Sequence, residues 1–171
     1  MSCEYLVGLD ELFDYKNQLL DDILTNKDIV RLLSDDETAT DHPESLMYSQ
    51  VFPFEYVPET IEHGQTFICC DVDIREVVNK TYLRPAIYVW IFTHKSKMRL
   101  KEGGVRVDKL ASKISELING SRKYGLGELD LYSVKRFTPV IDYQGRVLTF
   151  YATDFNRLSQ NNQKVPSNRK H

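Results

Sequence analysis

The chain has 171 residues, with 42% hydrophobic and 27% charged side chains and a formal net charge of −3; this is the balance of one soluble globular domain with a real core. The length leaves no room for a large multidomain enzyme, and no apolar run approaches the roughly 18 residues that a membrane-spanning helix needs. No basic leader precedes an apolar stretch in MSCEYLVGLDELFD, so no secretion signal is expected. Cys3, Cys69 and Cys70 cannot build a disulfide framework, which fits a reducing compartment.

In chain order, Leu9, Leu12, Phe13, Leu19, Leu20, Ile23 and Leu24 recur at three- and four-residue steps and predict an amphipathic helix over 9–24. Asp10, Glu11 and Asp14 suit its positive end. Asn26 can cap a short second helix running to Leu33. Residues 34–64 form a long arm that carries loop chemistry at Ser34–Glu37 and Asp41–Pro43, then the aromatic segment VFPFEYVPETI. The apolar character of Val51, Phe52, Phe54, Tyr56 and Val57 predicts that the arm packs, either on its own sheet or on a neighbouring subunit.

Strict alternation predicts a strand over 67–77, with Ile68, Cys70, Val72 and Ile74 on one face and Asp71 and Asp73 on the other. Residues 84–94 predict a strand that is apolar on both faces and therefore central. A helix follows, with Val107, Leu110, Ala111, Ile114, Leu117 and Ile118 on one stripe and Asn119-Gly120 as its stop. Two more strands, 128–140 and 146–155, are joined through Asp142-Tyr143-Gln144-Gly145, where Gly145 would supply a positive φ. The polar, proline-broken residues 158–171 predict a disordered tail. The expected fold is one α+β domain over 1–157: a four-stranded, mainly antiparallel sheet with helices on one face, in the order α-α-arm-β-β-α-β-β.

Charge is unevenly spread. Residues 1–62 hold three Lys/Arg against fifteen Asp/Glu, a net of −12, and residues 63–171 hold nineteen against ten, a net of +9. Two outcomes follow from that split: the acidic part folds over the basic part of the same molecule, or the acidic face of one copy meets the basic face of the next. The acidic total argues against a general duplex-DNA binder.

No catalytic constellation stands out. Asp71 and Asp73, with His94 as a third ligand, could face one divalent ion and serve a small nuclease or other phosphoryl enzyme, although no Glu-x-Lys pattern accompanies them and Asp154-Phe155-Asn156 lacks the lysine. The cysteines lack an activating neighbourhood, and His42, His63, His94 and His171 lack zinc spacing. Gly103-Gly104 before a helix lacks the Gly-Lys-Ser/Thr of a phosphate loop. No metal or cofactor is expected. The most distinctive stretch is 94–101, where Lys95, Lys97, Arg99 and Lys101 alternate; an extended backbone would put all four cations on one side. Such a rim suits a lysine-protected edge, contact with an acidic neighbour, or contact with phosphates as a nucleic-acid-binding module.

The stretches YVWIFTHKSKMRL, GGVRVDKLASKISELINGS, GLGELDLYSVKRF and YQGRVLTFYATDFNR, taken with the element order over about residues 65–157, resemble the tail terminator and head–tail joining (neck) proteins of long-tailed bacteriophages. The resemblance implies a non-enzymatic virion protein, assembled in the host cytoplasm. It would form a homo-oligomeric ring, commonly a hexamer, between the tail tube protein and the head connector or stopper protein, with DNA passing through and no membrane contact. No catalytic motif defines that family, so it transfers no functional residue. The residues expected at subunit or tube contacts are Phe52, Phe54 and Tyr56 as apolar anchors, with Lys95, Lys97, Arg99 and Lys101 at a contact or channel lining.

Overall fold

The computed structural model describes residues 9–35, 37–57, 64–124 and 127–155. Helices α1 (Leu9–Thr25) and α2 (Lys27–Leu33) are followed by two 3-10 turns (Glu37–Thr40 and Pro43–Leu46) and the short strand β1 (Val51–Phe52). Strands β2 (Thr66–Val77) and β3 (Tyr82–His94) precede a third 3-10 turn (Lys95–Lys97) and helix α3 (Arg106–Ile118); β4 (Asp130–Phe137), β5 (Tyr143–Tyr151) and β6 (Asp154–Phe155) complete the fold. The sheet runs β1-β2-β3-β5-β4, with β6 pairing the start of β3. All pairs are antiparallel except β1 with β2. The α+β class and the four long strands match the expectation. Of the two short strands, β1 is too short for alternation to reveal it, and β6 is the end of the strand expected over 146–155, set off by a break.

Helix α2 begins where Asn26 accepts hydrogen bonds from the amides of Asp28 and Ile29, which satisfies two of the orphan donors at a helix start. Helix α3 ends before Gly120, which takes φ +76°. The helices bury one sheet face: Leu19, Ile23, Ile29, Leu110 and Ile114 meet Ile68, Cys70, Val89, Ile91, Leu148 and Phe150 in one core. β3 is central, because β2 and β5 flank it along most of its length.

Two expectations are corrected and one is met. Gly145 does not sit in the turn with a positive φ. It lies within β5 opposite Phe92, and a Cβ there would stand 1.8 Å from the Ile91 carbonyl oxygen, so close strand approach is what requires glycine. The arm packs, as expected, and does so on the chain's own sheet. The Gln50 amide donates to the carbonyls of Leu33 and Thr66 at 2.9 Å each, and β1 then adds to the sheet beside Ile68 and Cys69. Finally, the last strand is interrupted at Ala152–Thr153 between β5 and β6. Residues 58–63 of the arm and the tail 158–171 lie outside the described residues.

On the other face, Phe52 is buried with Phe67, Cys69, Phe92 and Tyr143, and Tyr56, Trp90, Phe137 and Val140 pack around them. Phe52 stacks on Tyr56 with centroids 4.1 Å apart. The arm thereby caps one end of this face.

Candidate functional site

Two surfaces concentrate the polar and aromatic chemistry. The first is a cleft of about 1050 Å³ between α2, α3 and the loop after β3. Its rim carries Arg31, Lys97, Arg99, Lys101, Arg106, Lys109 and Lys113 against Asp28, Asp35 and Glu102, seven cations to three anions. Lys109 and Lys113 sit one helical turn apart on α3, so both project from one face.

Arg106 holds the frame of this cleft. Its side chain is only 8% exposed. Nε donates to the Lys97 carbonyl at 2.7 Å, Nη1 to the Leu32 carbonyl at 2.6 Å, and Nη2 to Asp35 Oδ1 at 2.8 Å. One planar fork thus joins the end of α2, the loop after β3 and the start of α3. Lys97 closes the set through the second Asp35 oxygen.

The Asp35 carboxyl is held below its ordinary value, foremost by the Lys97 hydrogen bond, with partial burial opposing and Arg106 adding to the lowering. A folded-state value below the unfolded one stabilises the fold above the unfolded value of 3.8, and that contribution is lost as pH falls through the folded value. Asp35→Asn should therefore destabilise the protein above about pH 4 and lose its effect below it. Denaturant titrations of both proteins from pH 7 down to pH 3 check this; a gap that does not close on acidification contradicts it.

The loop does not present the extended row of four cations that alternation predicted. Residues 95–97 turn as a 3-10 helix, and residues 99–105 close on themselves, with the Leu100 amide donating to the Gly104 carbonyl. Lys95 is directed to Asp142 at 2.6 Å and lowers that carboxyl. Lys97 is engaged with Asp35. Arg99 and Lys101 remain exposed on the cleft and form no ion pair with the described residues. Of the aromatic anchors, Phe52 and Tyr56 pack into the chain's own sheet, and Phe54 is 46% exposed.

The second surface is the open part of the sheet face opposite the helices. Tyr88 and Trp90 of β3 stack with centroids 5.7 Å apart, and Tyr132 of β4 lies 4.5 Å from Tyr151 of β5. Arg75 reaches across Ala86, the residue between Asp73 and Tyr151 in register. Its guanidinium stands 4.3 Å from the Tyr151 ring and 5.2 Å from Tyr132, within cation–π range. Tyr88 hydrogen-bonds Tyr151, and its hydroxyl is pushed up, first by burial and then by Asp73.

Asp71 and Asp73 share this face, but they are not joined by a third ligand. Asp71 pairs with Lys16 at 3.2 Å. Asp73 is raised by burial and by Asp71. His94 stands at the far end of β3, six residues beyond Tyr88, the partner of Asp71, or about 20 Å at the usual rise per residue. There it hydrogen-bonds Ser96. Among the described residues, no group of three His, Cys, Asp or Glu side chains is arranged to hold a metal ion. Burial pushes the Cys69 thiol up to about 12 and raises Cys70 as well, so neither is a poised nucleophile. Cys3 lies outside the described residues.

The charge split is spent internally only in part. Across the two halves, Asp22 pairs with Lys123 and accepts from Tyr124, Asp28 pairs with Lys113, and Asp35 pairs with Lys97 and Arg106. Sequence reasoning missed Arg31, Lys109 and Lys113 as cleft residues and Arg75, Tyr88, Tyr132 and Tyr151 as one patch. The one available signal was the four-residue spacing of Lys109 and Lys113 beside the apolar stripe.

No described helix is long and apolar enough to cross a membrane. No curated protein matches the chain. The YomW family model matches residues 26–152, which takes in the basic cleft and the whole open sheet face. The chain therefore belongs to the YomW family, a phage-derived family of Bacillus prophage type, and is a phage-associated protein.

Proposed function

We propose that the protein is a structural component of the phage virion, without enzymatic activity, that closes into a ring at the head-proximal end of the tail. As a tail terminator or adjoining neck protein, it ends the tail tube and joins it to the head connector. The observation that carries this reading is the open sheet face. Tyr88, Trp90, Tyr132, Tyr151 and Arg75 are the residue types that dominate binding energy at protein interfaces; Tyr132 and Arg75 are exposed, and Tyr88, Trp90 and Tyr151 are half-buried among the described residues. A sheet face that served only the monomer's stability would alternate to small polar or charged side chains.

Trp90 is the chain's one tryptophan, so assembly has a built-in reporter. Its emission is expected to shift to shorter wavelength as the protein associates with itself or with tail tubes. Native mass measurement should give a closed oligomer. Combining Tyr132→Ala with Arg75→Ala should weaken association by about 2 kcal/mol, or roughly 30-fold. A protein that stays monomeric and never co-purifies with tails would refute the proposal.

A further inference from the structure

The exposed acids of α1 and those cleft cations that form no ion pair among the described residues are surfaces of opposite sign. Asp10, Asp14 and Asp21 are exposed. At 100° per residue they fall within about 40° of one another, in a stripe about 16 Å long. Leu12, Leu19, Leu20 and Ile23 fill the opposite side of the same helix, so the stripe points away from the sheet. None of the three acids forms an ion pair with another described residue, whereas the neighbouring Asp22 is engaged with Lys123 and Tyr124. On the cleft, Arg31, Arg99, Lys101 and Lys109 are exposed and are likewise without ion pairs among the described residues.

The helical layer separates the two. α1 packs over β2, α3 over β3 and β5, and α2 touches both helices between them. The acidic and basic surfaces therefore belong to different elements, the stripe to α1 and the cleft to α2, α3 and the loop after β3. That is the arrangement of a heterologous, head-to-tail contact, which closes into a ring when the rotation between copies permits.

We propose that the Asp10–Asp14–Asp21 stripe of one copy seats in the Arg31–Arg99–Lys101–Lys109 cleft of the next. The proposal rests on the ring reading above and specifies its contact. The cleft is set before docking, because Arg106 already ties its three walls together, so little ordering cost opposes the contact. Like charges repel the two wrong pairings, stripe on stripe and cleft on cleft, and this fixes the direction of the ring. A phosphodiester chain would meet the same cations. The observations favour the protein partner: among the described residues no aromatic side chain lines the cleft to stack a base, and the overall charge of −3 opposes a polyanion at long range.

The test uses the full chain in three forms: Asp10→Lys with Asp14→Lys and Asp21→Lys; Arg99→Glu with Lys101→Glu and Lys109→Glu; and all six together. Circular dichroism first confirms that each folds. By native mass spectrometry and light scattering, the wild type should assemble, and each triple variant should associate at least about 100-fold more weakly. Both the six-fold variant and an equimolar mixture of the two triples should recover, since each restores opposite signs. High salt should weaken every assembling form.

If both triple variants assemble as the wild type does, this contact is overturned and the ring reading stands. If the wild type never assembles, with or without tail tubes, the ring reading falls and takes the contact with it. If the cleft triple assembles normally but loses affinity for a 20-nucleotide DNA strand that the wild type binds, the cleft is a phosphate site and the proposal is wrong.

Discussion

Arg106→Ala is expected to lower the unfolding free energy by about 2–4 kcal/mol, mostly the cost of leaving two main-chain carbonyls without their donor, since the half-exposed Asp35 adds little as an ion pair. The guanidinium is the donor for two main-chain carbonyls and one carboxylate. Removing it leaves the Leu32 and Lys97 carbonyls without that partner and Asp35 with Lys97 alone. For a chain of this size the melting temperature should fall by roughly 10 °C. Arg106→Lys should recover only a small part, because one ammonium cannot reach three acceptors set around a planar fork. Thermal and urea unfolding of the two variants check this. A lysine variant as stable as wild type would show that charge, not geometry, carries the effect. Because the same side chain frames the cleft, Arg106→Lys should also weaken ring assembly more than a surface Arg-to-Lys change would.

Gly145→Ala should be comparably damaging, at about 3 kcal/mol or more, beyond the usual cost of one added methyl. The new Cβ would fall 1.8 Å from the Ile91 carbonyl oxygen, and that atom belongs to the central strand, which cannot yield without shifting the ladder on both sides. Gly103→Ala is the control. Gly103 takes φ +94° with nothing within 4 Å of an added Cβ, so only backbone strain of about 1–2 kcal/mol applies. Urea unfolding separates the two cases. Equal costs at both positions would mean that the strand pair relaxes around the methyl, and that steric exclusion is not why glycine occupies β5. Sequence alone placed Gly145 in a turn, where a positive φ would have been the reason for glycine.

Much of the fold was legible because it depends on periodicity. α1 and α3 show three- and four-residue apolar spacing, β2 and β3 show alternation, and Asn26 and Gly120 mark boundaries by their own local chemistry. β1 was not legible, because it exists only where Gln50 and the sheet edge hold it, nor was the break that sets β6 off from β5 to pair with the start of β3. The candidate surfaces were read less well. Lys95, Lys97, Arg99 and Lys101 are a regular pattern in one dimension, but a 3-10 turn sends Lys95 to Asp142 and Lys97 to Asp35. Of the four, Arg99 and Lys101 remain on the cleft without an ion pair among the described residues, and Arg31 and Lys109 line the same cleft.

By itself, the amino-acid order determined an α+β domain, the central place of β3, the inert chemistry of Cys69 and Cys70, and the existence of an acidic first third and a basic remainder. Tertiary structure alone decided which charges cancel, which aromatic residues are core and which are surface, and why Gly145 must be glycine. The physical reason is range. Helix and strand periodicity follow from contacts a few residues apart, whereas Arg106 to Leu32, Lys97 to Asp35 and Arg75 to Tyr132 join residues 57 to 74 positions distant, and only the folded chain brings them together.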